Sequence, residues 1–118
     1  MARPLVTSVS PAFPLSWSSE VIEGTRTAIV AVAGELDRNT APALRDHIEW
    51  LLAGDCRRLV LDTGAVTIAD VGAFDVLRTL GARGEAGGCV VVVASAGEPL
   101  QRLLAMLGTP PGVTLEQW

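Results

Sequence analysis

Hydrophobic and polar positions along this chain follow two periods, one near 2 and one near 3.6, and the places where they change divide it into elements. Leu15 to Ile22 alternates as a strand in which Trp17 is half-buried, and Glu23-Gly24 marks a turn. Thr27 to Ala33 is apolar at nearly every residue, as in a strand inside a sheet, and its closeness to the first strand implies a hairpin. Gly34 to Thr40 reads as a polar loop, with Asn39 or Thr40 capping a helix that holds Pro42 in its first turn. Leu44, Ile48, Leu51 and Leu52 then recur at i, i+4, i+7 and i+8 while Arg45, Asp46 and Glu49 face away, and Gly54 ends that helix.

The stretch from Arg57 to Leu80 organises the rest. Leu59, Val60 and Leu61 form a buried strand that Asp62, Thr63 and Gly64 are expected to end. Asp70 is placed to cap a helix, its carboxylate accepting from first-turn N–H groups, and the helix is expected to bury Phe74, Leu77 and Leu80. Gly72 and Ala73 leave two readings open. Either they bare the first turn to a partner or an anion, or they let the helix pack closely on the strand. On the first reading Gly72→Glu would block a partner and leave the melting temperature nearly unchanged.

Gly81, Gly84, Gly87 and Gly88 are expected to fray this helix and turn the chain into a strand from Cys89 to Ala94. Pro99 opens a third helix with Leu100, Leu103, Leu104 and Leu107 on one face, and Gly108, Pro110 and Pro111 stop it. Val113 to Trp118 makes a short strand or tail. The order is β-β-α-β-α-β-α-β, an α/β fold with a mixed four- to five-stranded sheet and its helices mainly on one face, because helical crossovers join parallel neighbours with one hand. Sites in such sheets gather where parallel strands end, so the loops at Asp37 and Asp70 should lie side by side. Residues 1–14, with Pro4, Pro11 and Pro14 and no sustained period, read as a flexible N-terminal arm before a single domain at 15–118.

Composition narrows the function. The 118 residues suit one domain. Mean hydropathy is +0.40, but the longest apolar runs, such as Cys89 to Ala94, fall far short of the ~20 residues a spanning helix needs. The N-terminal segment has no continuous apolar core of the kind a secretory signal carries, so a cytoplasmic protein without membrane insertion is expected. Net charge is −4 with no lysine, which argues against nucleic acid. Cys56 and Cys89 have neither zinc-ligand spacing nor a disulfide framework and read as reduced, partly buried thiols.

Little catalytic chemistry stands out. His47 has no second histidine and no nucleophile motif beside it. The glycines from 81 to 88 lack the lysine of a phosphate loop and follow a helix rather than open one. Asp37, Asp70 and Asp75 suit capping and solvation better than a metal, so no cofactor or metal is expected.

Three segments, GELDRNTAPALRDHI, RRLVLDTGAVTIADVGAFDVL and CVVVVAS, resemble in this order and spacing a STAS domain, the fold of bacterial anti-sigma-factor antagonists, over about Leu15 to Trp118. In that family a D-S-S/T-G-L loop opens the second helix, and its second hydroxyl residue is phosphorylated by a partner anti-sigma kinase. Asp70, Phe74, Val76 and Leu77 match. Val71 and Gly72, however, stand where the family has its two hydroxyls, and Ala73 replaces the glycine. Sliding the register by one puts Val71 at the acceptor, so neither register supplies an oxygen. The resemblance implies a non-enzymatic regulator of transcription that binds an anti-sigma factor or related kinase-fold protein. The surface would be Asp37, Arg38, Asn39, Asp70, Val71, Gly72, Ala73, Asp75 and Arg78, with Gly72 at the phospho-acceptor position. Self-association as a homodimer stays open. The alternatives are an accessory STAS subunit of an ABC-transporter ATPase and a nucleotide-binding regulatory domain.

Overall fold

Six strands lie in sequence order across one sheet in the computed structural model, which describes residues 4–9 and 14–117. The elements are β1 (Pro4–Val9), β2 (Leu15–Ile22), β3 (Thr27–Leu36), α1 (Ala41–Ala53), β4 (Arg58–Ala69), α2 (Val71–Gly87), β5 (Val90–Ala94), α3 (Glu98–Leu107) and β6 (Val113–Glu116). β1, β2 and β3 pair antiparallel, while β3–β4, β4–β5 and β5–β6 are parallel. Each parallel step crosses through a helix. That makes the sheet mixed and packs the three helices against one core with the strands, as the pattern predicts.

One strand was not expected. Pro4–Val9, read from sequence as part of a flexible arm, pairs with β2 from Pro4 opposite Ile22 to Val9 opposite Ser18. The sheet therefore has six strands instead of four to five. Pro4 is compatible with this because it sits at the first residue of an edge strand, where its missing N–H costs least.

Two strands also run further than the pattern suggested. β4 continues through Asp62, Thr63 and Gly64 to Ala69, and β3 takes in Gly34, Glu35 and Leu36 from the supposed loop. The extensions pair with each other, Ala33 with Ala65, Gly34 with Val66 and Leu36 with Ala69, past register shifts on either side of Ala33–Gly34. Gly34 permits the irregularity with φ +105°, and a Cβ there would lie 2.1 Å from the Pro14 carbonyl oxygen.

The helix-side face of the sheet carries Leu15, Val30, Val32, Leu59, Leu61, Val91 and Val93, all buried against Leu44, Ile48, Leu77, Leu80 and Leu100. Val76 is buried in this core, whereas Phe74, expected there from the sequence, is only partly buried against its edge. α2 does not fray at its glycines. Gly81 and Gly84, one turn apart on its buried side, leave room for backbone, since Cβ atoms there would meet the Pro111 oxygen at 2.2 Å and the Cys89 oxygen at 2.6 Å. Gly88 then ends the helix in the left-handed conformation, φ 73°. On the opposite face Ile29, Val60, Val92 and Ala94 form a small second cluster. Arg58 on β4 reaches Glu116 on β6 at 3.4 Å, so the ion pair crosses β5 above Val92 and helps shield these valines. No helix among the described residues is long and apolar enough to cross a membrane.

His47 on α1 closes the core beside β2. Its Nε2 lies 2.7 Å from the Ser19 Oγ, and its ring is tilted against Trp17 and stacked with Trp50, with centroids 5.8 and 6.1 Å away. Burial pushes its pKa below the usual 6.5. Between those two values the unfolded chain holds more protons than the folded one, so stability falls as pH drops below about 6.5 and levels off beneath the folded-state pKa. Denaturant midpoints at pH 7.5 and 5.5 should therefore differ more for the wild type than for His47→Gln. An equal difference would remove His47 as the cause.

Candidate functional site

The loops that open α1 and α2 meet at the carboxyl ends of β3 and β4. Asp37 holds the first loop with side chain and backbone together: Asn39 N–H and Thr40 N–H donate to its Oδ1 at 2.8 and 3.0 Å, and Ala41 N–H donates to its carbonyl at 2.8 Å. Thr40 begins α1 but makes no side-chain cap of its own helix. Its hydroxyl donates to the Glu35 carbonyl at 2.7 Å and accepts from Asp37 N–H at 3.0 Å, which ties the loop back to the end of β3. Arg38 and Asn39 are left exposed at the tip.

Asp70 caps α2 as its position in the sequence predicts. Its extended backbone turns the chain out of β4, its Oδ1 accepts from Gly72 N–H at 2.7 Å, and its carbonyl accepts from Ala73 and Phe74 N–H at 3.0 and 3.3 Å. Asp70 N–H donates to the Leu36 carbonyl at 3.4 Å, which joins this loop to the first. Asp70→Ala should lower the unfolding free energy by about 1 kcal/mol, read from urea midpoints, and a change within error would mean that the cap contributes nothing.

Gly72 and Ala73 are buried, and this decides between the two readings of the small-residue turn. A Cβ on Gly72 would lie 2.6 Å from Arg38 N and 2.7 Å from both Arg38 Cα and Asp37 C. The glycine is where one loop's backbone rests on the other. The amides of residues 72–74 already donate to Asp70, so the bare anion-binding turn does not form. With it goes the argument for a nucleotide at this place.

The accessible part of the predicted set is thus Arg38, Asn39, Val71, Asp75 and Arg78. Val71 is 47% exposed, and Asp75 and Arg78 pair one turn further along α2 at 3.5 Å. Sequence reasoning missed Ile68 on the final residues of β4, 48% exposed, and Met106 on α3, 78% exposed. These two border a cleft of about 540 Å³ between the end of β4 and α3, lined also by Thr67, Pro99 and Arg102. The signal was present in Val66-Thr67-Ile68, whose alternation belongs to a strand once Gly64 is not taken as its end. On the predicted face itself, the exposed Val71 stands among the charged and polar side chains of Arg38, Asn39, Asp75 and Arg78, a form suited to a protein partner.

A family profile described as Mlab, STAS domain, matches residues 21–110, about three quarters of the chain. The chain belongs to the STAS domain family. In structure it is similar to the anti-sigma factor antagonist SpoIIAA in its unphosphorylated form, with a TM-score of 0.66 at 12% identity over 96% of this chain and 87% of that one. It is also similar to an antisigma-factor antagonist STAS domain from Rhodobacter sphaeroides, with a TM-score of 0.62 at 19% identity, covering 72% of this chain and 94% of that one. An anti-sigma factor antagonist from Mycobacterium paratuberculosis gives 0.59 at 24% identity over 92% and 79%. No curated protein matches in sequence. At these identities the structural likenesses establish the fold, a STAS domain resembling anti-sigma-factor antagonists.

Proposed function

We propose that this chain is a regulatory protein-interaction module of the bacterial cytoplasm that binds an anti-sigma factor or a related kinase-fold protein through the face around Arg38, Asn39, Val71, Asp75 and Arg78, without phosphorylation of its own loop. The carrying observation is the opening of α2, where an exposed Val71 and a buried Gly72, which the resemblance aligns with the family's hydroxyl pair, offer no hydroxyl. A phosphoryl group would bring roughly −1.5 to −2 charges to that helix terminus and change what the face can bind. Neither residue at those two positions can carry one, so on this reading binding is constitutive or under the control of another component.

A second reading rests on the same surface. Val71 gives the face exposed apolar area, which suits a standing complex such as an accessory subunit on a transporter ATPase. Affinity capture from the source cells separates the two by the identity of the protein retained. For the first reading, incubation with the captured kinase and ATP should leave the intact mass unchanged while binding persists. A phosphate mapped to residues 70–74 would overturn it. Val71→Glu should abolish capture, and wild-type retention would move the interface elsewhere.

A further inference from the structure

Cys56 and Cys89 are 33 residues apart in the chain, yet their sulfurs lie 3.5 Å from each other where β4 and β5 begin. We propose that they form a reversible dithiol–disulfide site, oxidised by a peroxide or a small-molecule disulfide and reduced again by thiols. Closing the sulfurs to the ~2.04 Å of a disulfide takes roughly 1.5 Å of movement shared by two side chains. The backbone at Cys56 has latitude for this, because it lies in the short connection between Gly54 and β4, outside any regular element. Neither thiol is held in a strong alternative contact. Cys56 donates to the Arg58 carbonyl at 3.3 Å and Cys89 to the Val90 carbonyl at 3.7 Å, both weak.

The two sulfurs differ in access, and that assigns their roles. Cys56 is partly exposed and lines a cleft of about 700 Å³ between the β2–β3 turn and the end of α1, which lets a small oxidant reach it. Cys89 is buried, and that burial, with the hydrogen bond and the charge of Cys56 beside it, pushes its pKa up to about 12. Cys56 is therefore the attacking sulfur and Cys89 the resolving one. With hydrogen peroxide, the Cys56 thiolate attacks one oxygen, the S–O bond forms as O–O breaks, and hydroxide leaves to take up the proton that Cys56 released. Cys89 then attacks the Cys56 sulfur, S–S forms as S–O breaks, and its proton leaves with the hydroxyl as a second water. Two thiols are oxidised to one disulfide while one peroxide is reduced to two waters.

The site is independent of the proposed partner face, which lies at the other end of the strands. Treatment of the full chain with dilute hydrogen peroxide should give a monomer lighter by two hydrogens, with a Cys56–Cys89 peptide on mapping. Dithiothreitol should reverse it. The oxidised form should melt at a higher temperature, since the cross-link restricts the unfolded chain. Cys56→Ser should slow the loss of the remaining thiol at least roughly tenfold, because Cys89 is shielded. Cys89→Ser should let a sulfenic-acid probe label Cys56. Should that variant fold poorly, the wild-type mass and melting data decide alone. Only intermolecular disulfides, only higher oxyacids, or no oxidation under conditions that oxidise free cysteine would each overturn the proposal.

Discussion

Leu61→Ala should lower the unfolding free energy by roughly 2–5 kcal/mol, the range for truncating a buried leucine that its surroundings cannot refill. Leu61 is 2% exposed, stands between Val30 of β3 and Val93 of β5, and faces the helices at the centre of the core. Strands on both sides prevent β4 from shifting to close the hole. Urea melts of wild type and variant measure the loss, and a value well under 1 kcal/mol would mean that β4 does not lie where these registers put it. Phe74→Ala belongs on the same axis as a comparison. Sequence periodicity gives Phe74 equal standing, but its ring is only partly buried beside the core, so its loss should be the smaller one.

That contrast shows what was legible in the chain. Period-3.6 spacing identified α1 and α3 because each buries one stripe and leaves the rest to water, and unbroken apolar runs identified the middles of β3, β4 and β5. Asp70 was legible as a cap because its reason is local. What escaped depends on a partner distant in sequence. Asp62-Thr63-Gly64 has the composition of a turn, yet it stays in β4 because β3 extends alongside to pair with the residues that follow, and Asp62 Oδ1 satisfies Gly64 N–H at 3.1 Å within the strand. Pro4 argued against a strand, and only an edge position makes it acceptable. Gly81 looked like a helix breaker because nothing near it in sequence tells that the Pro111–Gly112 backbone will press against it. The candidate site shows the same division. Its loops were correctly placed side by side, since topology decides that, but which of their residues face water depends on how closely the two backbones approach.

Gly72→Glu should therefore destabilise the protein by more than about 3 kcal/mol, the opposite of the result expected from a small residue on an open surface. Its Cβ would fall within 2.7 Å of three backbone atoms of Asp37 and Arg38, and a backbone cannot swing aside as a flexible side chain can. Beyond the Cβ, the carboxylate would have to be buried beside Asp70 or force the two loops apart. Parting them gives up the Asp70-to-Leu36 hydrogen bond and exposes the start of α2. Partner binding would be lost as well, but only because the face itself is gone. Val71→Glu separates the effects, since Val71 points outward and its replacement should move stability by no more than about 0.5 kcal/mol while placing charge on the same face. Thermal melts of the two variants, run beside partner capture, should show Gly72→Glu failing in both and Val71→Glu failing only in capture. A Gly72→Glu protein that melts like the wild type would mean that the α1 and α2 loops are not in backbone contact, and the arrangement of the whole face would have to be redrawn.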